Sequence, residues 1–313
     1  MGSSPADLDC PAHPGESFTA RTLRLRVRAV KSEPVARSKP MASAESLEPG
    51  LPAVNAGMLL VRIEAVNPLP PSDSGAKPDF AHGRYAAPPF GIAGKVEAMA
   101  GGVSGFSVGD SVFGVASRRP LSGTDQFLVV EACRMARMPS RVDFIEAASM
   151  ALVGTSAWQM LFQVGRIDAG ETVLILGADT PIGAFAAQLA MLYGVRTIAL
   201  ISAAGVEREV LLHGAHRVID ASLGQLEAEC SVASLVVDTI GGALRKRATR
   251  SLRSGCTLVS CMEGFDVFAT ARPGSRSLFH VPESATYSLA LIATLVDAAH
   301  VRTRPPGSAS GHD

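Results

Sequence analysis

The chain has 313 residues, 29 Lys+Arg against 29 Asp+Glu, and a hydrophobic fraction of 47%. That length suggests about two domains of roughly 100–200 residues each and is ample to bury a large core. The balanced charge argues against a nucleic-acid or membrane-surface protein, the apolar content excludes wholesale disorder, and no apolar run reaches the roughly 18 residues of a membrane span.

Residues 1–20 read as a disordered tail without the charged-then-apolar pattern of a secretory signal. Arginines then alternate with Leu23, Leu25 and Val27 over 22–30, which reads as a half-exposed strand with a solvated charged face; an internal transit peptide is the alternative. Residues 58–65 (MLLVRIEA) alternate and predict a strand. The segment 67–89, rich in Pro, Ser, Asp and Gly, predicts a long loop. Strands follow at 92–100, 111–115 and 126–130, with a turn-rich stretch at 101–110. Many short strands broken by turn residues predict a partly open β-barrel over 21–150.

The pattern changes near Asp143. Residues 144–164 are rich in Ala and Leu with few breakers and predict a helix. Strand and helix then alternate: strands at 172–176, 196–201, 217–219, 235–240 and 257–261, helices at 181–193, 205–213 and 243–252. That alternation predicts an α/β domain over 151–300, a doubly wound parallel sheet whose strands lack polar alternation because both faces are covered. A helix at 287–300 and a disordered tail at 301–313 close the chain. The cysteines, Cys10, Cys133, Cys230, Cys256 and Cys261, show no Cys-x-x-Cys spacing. They read as buried thiols in a reducing cytoplasm, not a zinc site or a disulfide framework.

The first strand of the α/β half ends LILGADTPIGAFAAQLA. Glycine at the strand end and at the start of a helix is the layout of a dinucleotide site, where the backbone approaches the pyrophosphate and the helix end supplies N–H groups. Gly177 and Gly183 hold those positions, with Ala178, Thr180 and Ile182 between them, and a side chain at 183 is expected to block the phosphate approach. The full Gly-x-Gly-x-x-Gly is absent. Thr180 suits an N-cap and Pro181 the first helical position. Pro181 also removes a donor, and Asp179 puts a negative charge near the phosphate. The turn by itself fits a plain strand–helix junction as well as a working site.

Residues 55–303 resemble the medium-chain dehydrogenase/reductase superfamily, and within it the zinc-independent quinone oxidoreductase branch. The phrases that carry the resemblance stand in the family's order: LLVRIEAVNP (59–68), GVSGFSVGDSVFG (102–114), ALVGTSAWQMLF (151–162), AGETVLILGA (169–178), GAHRVIDAS (214–222), VVDTIGG (236–242) and SLRSGCTLVSC (251–261). The resemblance implies a GroES-like barrel followed by a Rossmann domain. It implies NADPH-dependent reduction of a quinone or an activated alkene, a small-molecule substrate with no nucleic acid or membrane partner. It also implies a homodimer, which an apolar strand near 278–281 would support.

Carried over by position, the resemblance puts Ile92 and Ala93 where zinc-dependent members keep polar ligands, so no catalytic metal is expected. Ser202 stands at the end of the second Rossmann strand, where NAD enzymes keep an acid, and this favours NADPH; Arg208 is the candidate for its 2′-phosphate. Ser156 matches a Thr near the nicotinamide, although a helix Ser commonly bonds its own backbone. Asn67 matches an Asn of the active-site cleft, although Asn-Pro also starts turns. Asp238 and Thr239 match a turn lining the cofactor groove, and Phe279 and Val281 a segment that meets the nicotinamide amide. Tyr85 is a candidate proton donor.

Departures from the family are the altered glycine turn, the Pro-rich loop after Asn67, and a short polar tail where family members continue back into the barrel. They leave two alternatives to the quinone reductase: a catalytically silent relative acting as a binding or scaffold protein, and an enoyl-thioester reductase.

Overall fold

The computed structural model describes residues 53–68, 89–116, 126–202, 204–220, 225–262, 273–283 and 286–303. The strand expected at 22–30, most of the loop 67–89 and Tyr85 lie outside them.

One antiparallel sheet has the order β4-β1-β2-β3-β5. Its strands are β1 (Met58–Pro68), β2 (Phe90–Met99), β3 (Ser111–Ala116), β4 (Phe127–Glu131) and β5 (Met135–Arg137). The β1–β2 register shifts at Leu60/Val61 and again at Ile63/Ala65. Such bulges bend a strand and raise its twist, which suits a sheet that curls around an interior. Leu59, Val61, Phe90, Ile92, Val96, Phe106, Val112 and Met135 fill that interior. β5 escaped the pattern reading because three residues give alternation no room.

Helix α1 (Phe144–Trp158) starts at Asp143, whose side chain accepts a 2.7 Å bond from the Glu146 N–H, a regular N-cap. Its residues are buried on all sides from Met150 to Trp158, as expected of a helix apolar all round. It lies between the two halves, and the expected domain boundary at residue 150 falls inside it. Gly91 on β2 is what lets the sheet approach: a Cβ there would run into the Ala148 carbonyl. The expected single helix over 144–164 changes character at Gln159. Residues Gln159–Val164 form a π-helical segment, with Gly165 N–H bonded to Met160 O at 3.1 Å, five residues back.

The second sheet is parallel, with the order β11-β10-β9-β6-β7-β8. It comprises β6 (Thr172–Leu176), β7 (Arg196–Ile201), β8 (Arg217–Asp220), β9 (Leu235–Asp238), β10 (Thr257–Ser260) and β11 (Arg276–Phe279). Helices α2 (Pro181–Leu192), α3 (Glu207–Leu212), α4 (Leu226–Cys230) and α5 (Gly242–Ser251) connect them. Alternate residues of β6 serve opposite faces. Val173 and Ile175 pack with Phe185, whereas Leu174 and Leu176 pack with Leu226, Ala248 and Leu252. This two-sided burial is why the strands read as unbroken apolar runs.

Helix α6 (Thr286–Asp297) follows. Of the tail expected to be disordered from 301, residues 301–303 are instead docked. Val301 is buried, and the Gln188 side chain bonds both the N–H (2.7 Å) and the carbonyl (3.1 Å) of Arg302. An amide satisfying both backbone groups of one residue does what a strand neighbour would do. Residues 304–313 lie outside the described part. Three rings join α1 to α2: Trp158 and Phe162 lie 4.7 Å apart, Trp158 and Tyr193 5.5 Å apart.

Candidate functional site

Numbered from β6, the parallel sheet runs 3-2-1-4-5-6, the dinucleotide-binding order. The chain leaves β6 towards β7 and β8, then crosses to β9, β10 and β11. The reversal therefore falls between β6 and β9, and ligands of such sheets bind at the carboxyl ends flanking it. Gly177 and Thr239 are the residues that leave these two strands there.

Gly177 sits at φ +83°, and a Cβ on it would meet Thr239 Oγ1 at 2.6 Å. Only glycine takes that conformation without strain. The N–H groups of Gly177 and Ala178 both bond Leu200 O at 2.9 Å. Thr180 caps α2, its Oγ1 accepting from Gly183 N–H at 3.1 Å. The same hydroxyl lies 2.8 Å from Gly177 O and 2.8 Å from Thr239 Oγ1, and Thr239 Oγ1 lies 2.8 Å from Leu176 O. Two threonines thus clasp the turn after β6 to the turn after β9. At the start of α2, Pro181 has no N–H, Gly183 N–H goes to Thr180, and Ala184 N–H goes to Thr180 O. Ile182 is the first-turn residue whose N–H those bonds do not use.

The expected role of Gly183 needs correction. A Cβ at this position would collide with Gly177 O and lie 2.9 Å from Ala178 Cα. The glycine is required because the helix packs on the turn itself, whatever approaches from outside.

At the end of β7, Ser202 is exposed, and its N–H (3.1 Å) and Oγ (2.8 Å) both donate to Asp179 Oδ2. The acid missing from β7 is supplied by the turn after β6. Arg208 is exposed on α3 between Glu207 and Glu209.

At the end of β9, Asp238 is fully buried. Its Oδ1 accepts from Gly241 N–H at 2.8 Å, and its Oδ2 from Ser260 Oγ at 2.7 Å with the Arg245 guanidinium 3.7 Å away. Arg245 also donates to Met262 O at 3.1 Å. This carboxylate holds the β9 and β10 turns together behind the groove.

From the barrel, Asn67 lies near the end of β1, half-buried and paired with Gly91 of β2. Ser156 is buried, and its Oγ donates to Leu152 O at 2.8 Å, so its proton stays on the helix backbone. Phe279 ends β11 half-exposed, and Val281 follows it, half-buried. The backbone of Glu283 is tied to the Gln159 amide by bonds of 2.6 and 3.1 Å. The start of the π-helical segment therefore anchors the strand that carries Phe279 and Val281.

No family model matches the chain. It is 34% identical over 149 residues to a quinone oxidoreductase of Pseudomonas aeruginosa, covering 46% of this chain and 45% of the relative. It is 28% identical over 228 residues to the mitochondrial NAD(P)H oxidoreductase RTN4IP1 of Mus musculus, covering 63% and 57%. The chain thus spans about half the length of the curated relatives it matches. Among solved structures, the quinone oxidoreductase from Coxiella burnetii superposes with a TM-score of 0.65 at 19% identity, covering 80% of this chain and 82% of that one. The Escherichia coli quinone oxidoreductase complexed with NADPH gives 0.60 at 18% identity, covering 80% and 83%.

In sequence the chain is similar to quinone oxidoreductases, and it shares the fold of solved quinone oxidoreductases. Its likeness is to the quinone oxidoreductase-like branch, and the barrel plus Rossmann architecture follows. Among the described residues, no helix is long and apolar enough to cross a membrane. No three His, Cys, Asp or Glu side chains there gather as metal ligands.

Two features of the site were not legible in sequence. Asp179, read in the sequence as a charge near the phosphate, reaches the end of β7 and accepts both donors of Ser202. His280, between Phe279 and Val281, is buried with no partner on Nε2, and burial pushes its imidazole down to about 4. The folded state therefore favours the neutral ring. The stability this gives is complete above the unfolded value near 6.5 and falls away as pH drops towards 4. From urea unfolding, His280 is expected to contribute a loss of about 2 kcal/mol between pH 7 and pH 5, and His280→Gln to flatten that slope. An equal slope in the variant would refute it. Burial also holds the Cys230, Cys256 and Cys261 thiols high, at about 12, 11 and 12, so they stay protonated and unreactive.

Proposed function

We propose that this chain is an NAD(P)H-dependent oxidoreductase that delivers hydride to a quinone or an activated alkene without zinc. The observation that carries the reading is the glycine turn at the strand-order reversal, closed by Gly177, Gly183 and the Thr180–Thr239 clasp. These residues fit a dinucleotide. Gly177, at φ +83°, lets the turn pack directly against Thr239, which forms the facing wall, and Ile182 N–H is the helix-end donor that the turn's own bonds leave unused.

When bound, a reduced nicotinamide supplies the hydride. The chain's own part is positional. Backbone at Phe279 and Val281, braced through Gln159, would hold the nicotinamide end, and Asn67 would orient the acceptor from the barrel side. Ser156 keeps its proton on Leu152 O and is assigned no proton transfer. The zinc-free reading is supported by Ile92 and Ala93, both fully buried apolar residues of β2. Support for NADPH in particular is Ser202 with Arg208; the Asp179 contact weighs against it. A cytoplasmic location, a homodimer, and a division into substrate and cofactor units at 21–150 and 151–300 belong to the same proposal.

A specific observation favours a catalytically silent binding protein instead: Pro181 and Thr180 remove two donors from the helix end, and Asp179 adds negative charge. Calorimetric titration with NADH and with NADPH decides between them. Saturable binding of either one is expected, and none up to about millimolar cofactor would leave the silent reading. Turnover with a quinone, an enone and an enoyl thioester then separates the acceptor classes.

A further inference from the structure

The end of β7 is where an enzyme of this architecture distinguishes a ribose 2′-hydroxyl from a 2′-phosphate. A small polar residue there accommodates phosphate by offering donors and no charge. Ser202 has two donors, its N–H and its O–H. Both are given to one oxygen of Asp179, at 3.1 and 2.8 Å. A carboxylate accepts only, so the direction of both bonds is settled. Having donated its proton, Ser202 Oγ offers a ligand lone pairs alone, and the Asp179 carboxylate that holds it adds a negative charge.

That polarity matches a ribose diol, which donates. It mismatches a phosphate, which carries about −1.5 to −2 charge and offers acceptor oxygens. The following helix does little to reverse the field, because Arg208 stands between Glu207 and Glu209, all three exposed. We propose that Asp179, reaching from the turn after β6 to the end of β7, makes this site select the dinucleotide with a free 2′-hydroxyl, NADH, over NADPH. The inference rests on the cofactor reading above and reverses the preference expected from Ser202.

The test is calorimetric titration of the purified full chain and two variants with NADH and NADPH. The wild type is expected to bind NADH at least tenfold more tightly, with the margin shrinking as salt screens the repulsion. Asp179→Asn keeps an acceptor for Ser202 and removes the charge. It is expected to tighten NADPH by about tenfold and bring the two affinities within a few-fold, with the melting temperature close to wild type. Ser202→Ala leaves the carboxylate and is expected to keep NADH ahead. Wild-type binding of NADPH as tight as or tighter than NADH overturns the inference while leaving the cofactor reading standing. So does an Asp179→Asn ratio equal to wild type. Absence of saturable binding by either cofactor overturns both.

Discussion

Gly183→Val is expected to destabilise the chain by about 3 kcal/mol and to abolish dinucleotide binding in whatever fraction stays folded. The cause is internal. The added Cβ overlaps Gly177 O and crowds Ala178 Cα, both backbone atoms that cannot swing aside. Relief requires α2 to lift from the turn. That would break the Thr180 cap on Gly183 N–H and pull Thr180 Oγ1 away from Thr239. Urea unfolding measures the stability loss, and Gly183→Ala should show most of it, because Cβ is the offending atom. A folded, fully stable Gly183→Val that merely fails to bind cofactor would instead put the clash outside the turn, with an approaching phosphate.

Asp238→Ala is expected to cost about 3–5 kcal/mol, the range for stripping one partner from a buried ion pair. The carboxylate is fully buried and serves Gly241 N–H, Ser260 Oγ and Arg245 at once. Its loss leaves a guanidinium of low exposure beside an empty acceptor position. Combining the change with Arg245→Met removes the stranded charge, so the double variant should recover part of the loss in a double-mutant cycle. Simple additivity of the two single changes would show that the pair is not coupled. Since the β9 turn on one side of the groove hangs on this carboxylate, cofactor binding should weaken in the single variant even below its unfolding midpoint.

The parallel sheet was legible in the sequence nearly strand by strand. Both faces of β6, β9 and β10 are covered, so apolarity persists over the whole strand; it stops at Gly177 as read, whereas the strands read as ending at 240 and 261 end at Asp238 and Ser260. Short elements were not legible: β5 and α4 are too brief for any period to accumulate. The change to π-helical hydrogen bonding at Gln159 leaves no mark in composition, since Ala-rich and Leu-rich sequence suits both geometries. The site divided along the same line. Gly177, Thr180 and Pro181 announced a strand–helix turn through local rules of backbone geometry. The meaning of Ser202 depended on a residue 23 positions earlier, and only the pairing of β6 with β7 brings those two side chains together. Likewise Gly183 is constrained by Gly177 O, a contact that residue type alone does not reveal.

The ring contact at the end of α1 has an optical consequence. The chain holds one tryptophan, so indole emission comes from a single address, Trp158, nearly inaccessible to solvent and touching Phe162 and Tyr193. Tyr193 caps the far end of the helix that begins at the glycine turn. Any ligand that shifts α2 along its axis therefore moves a ring against the fluorophore. The protein carries its own label for events at that turn, about one helix length away.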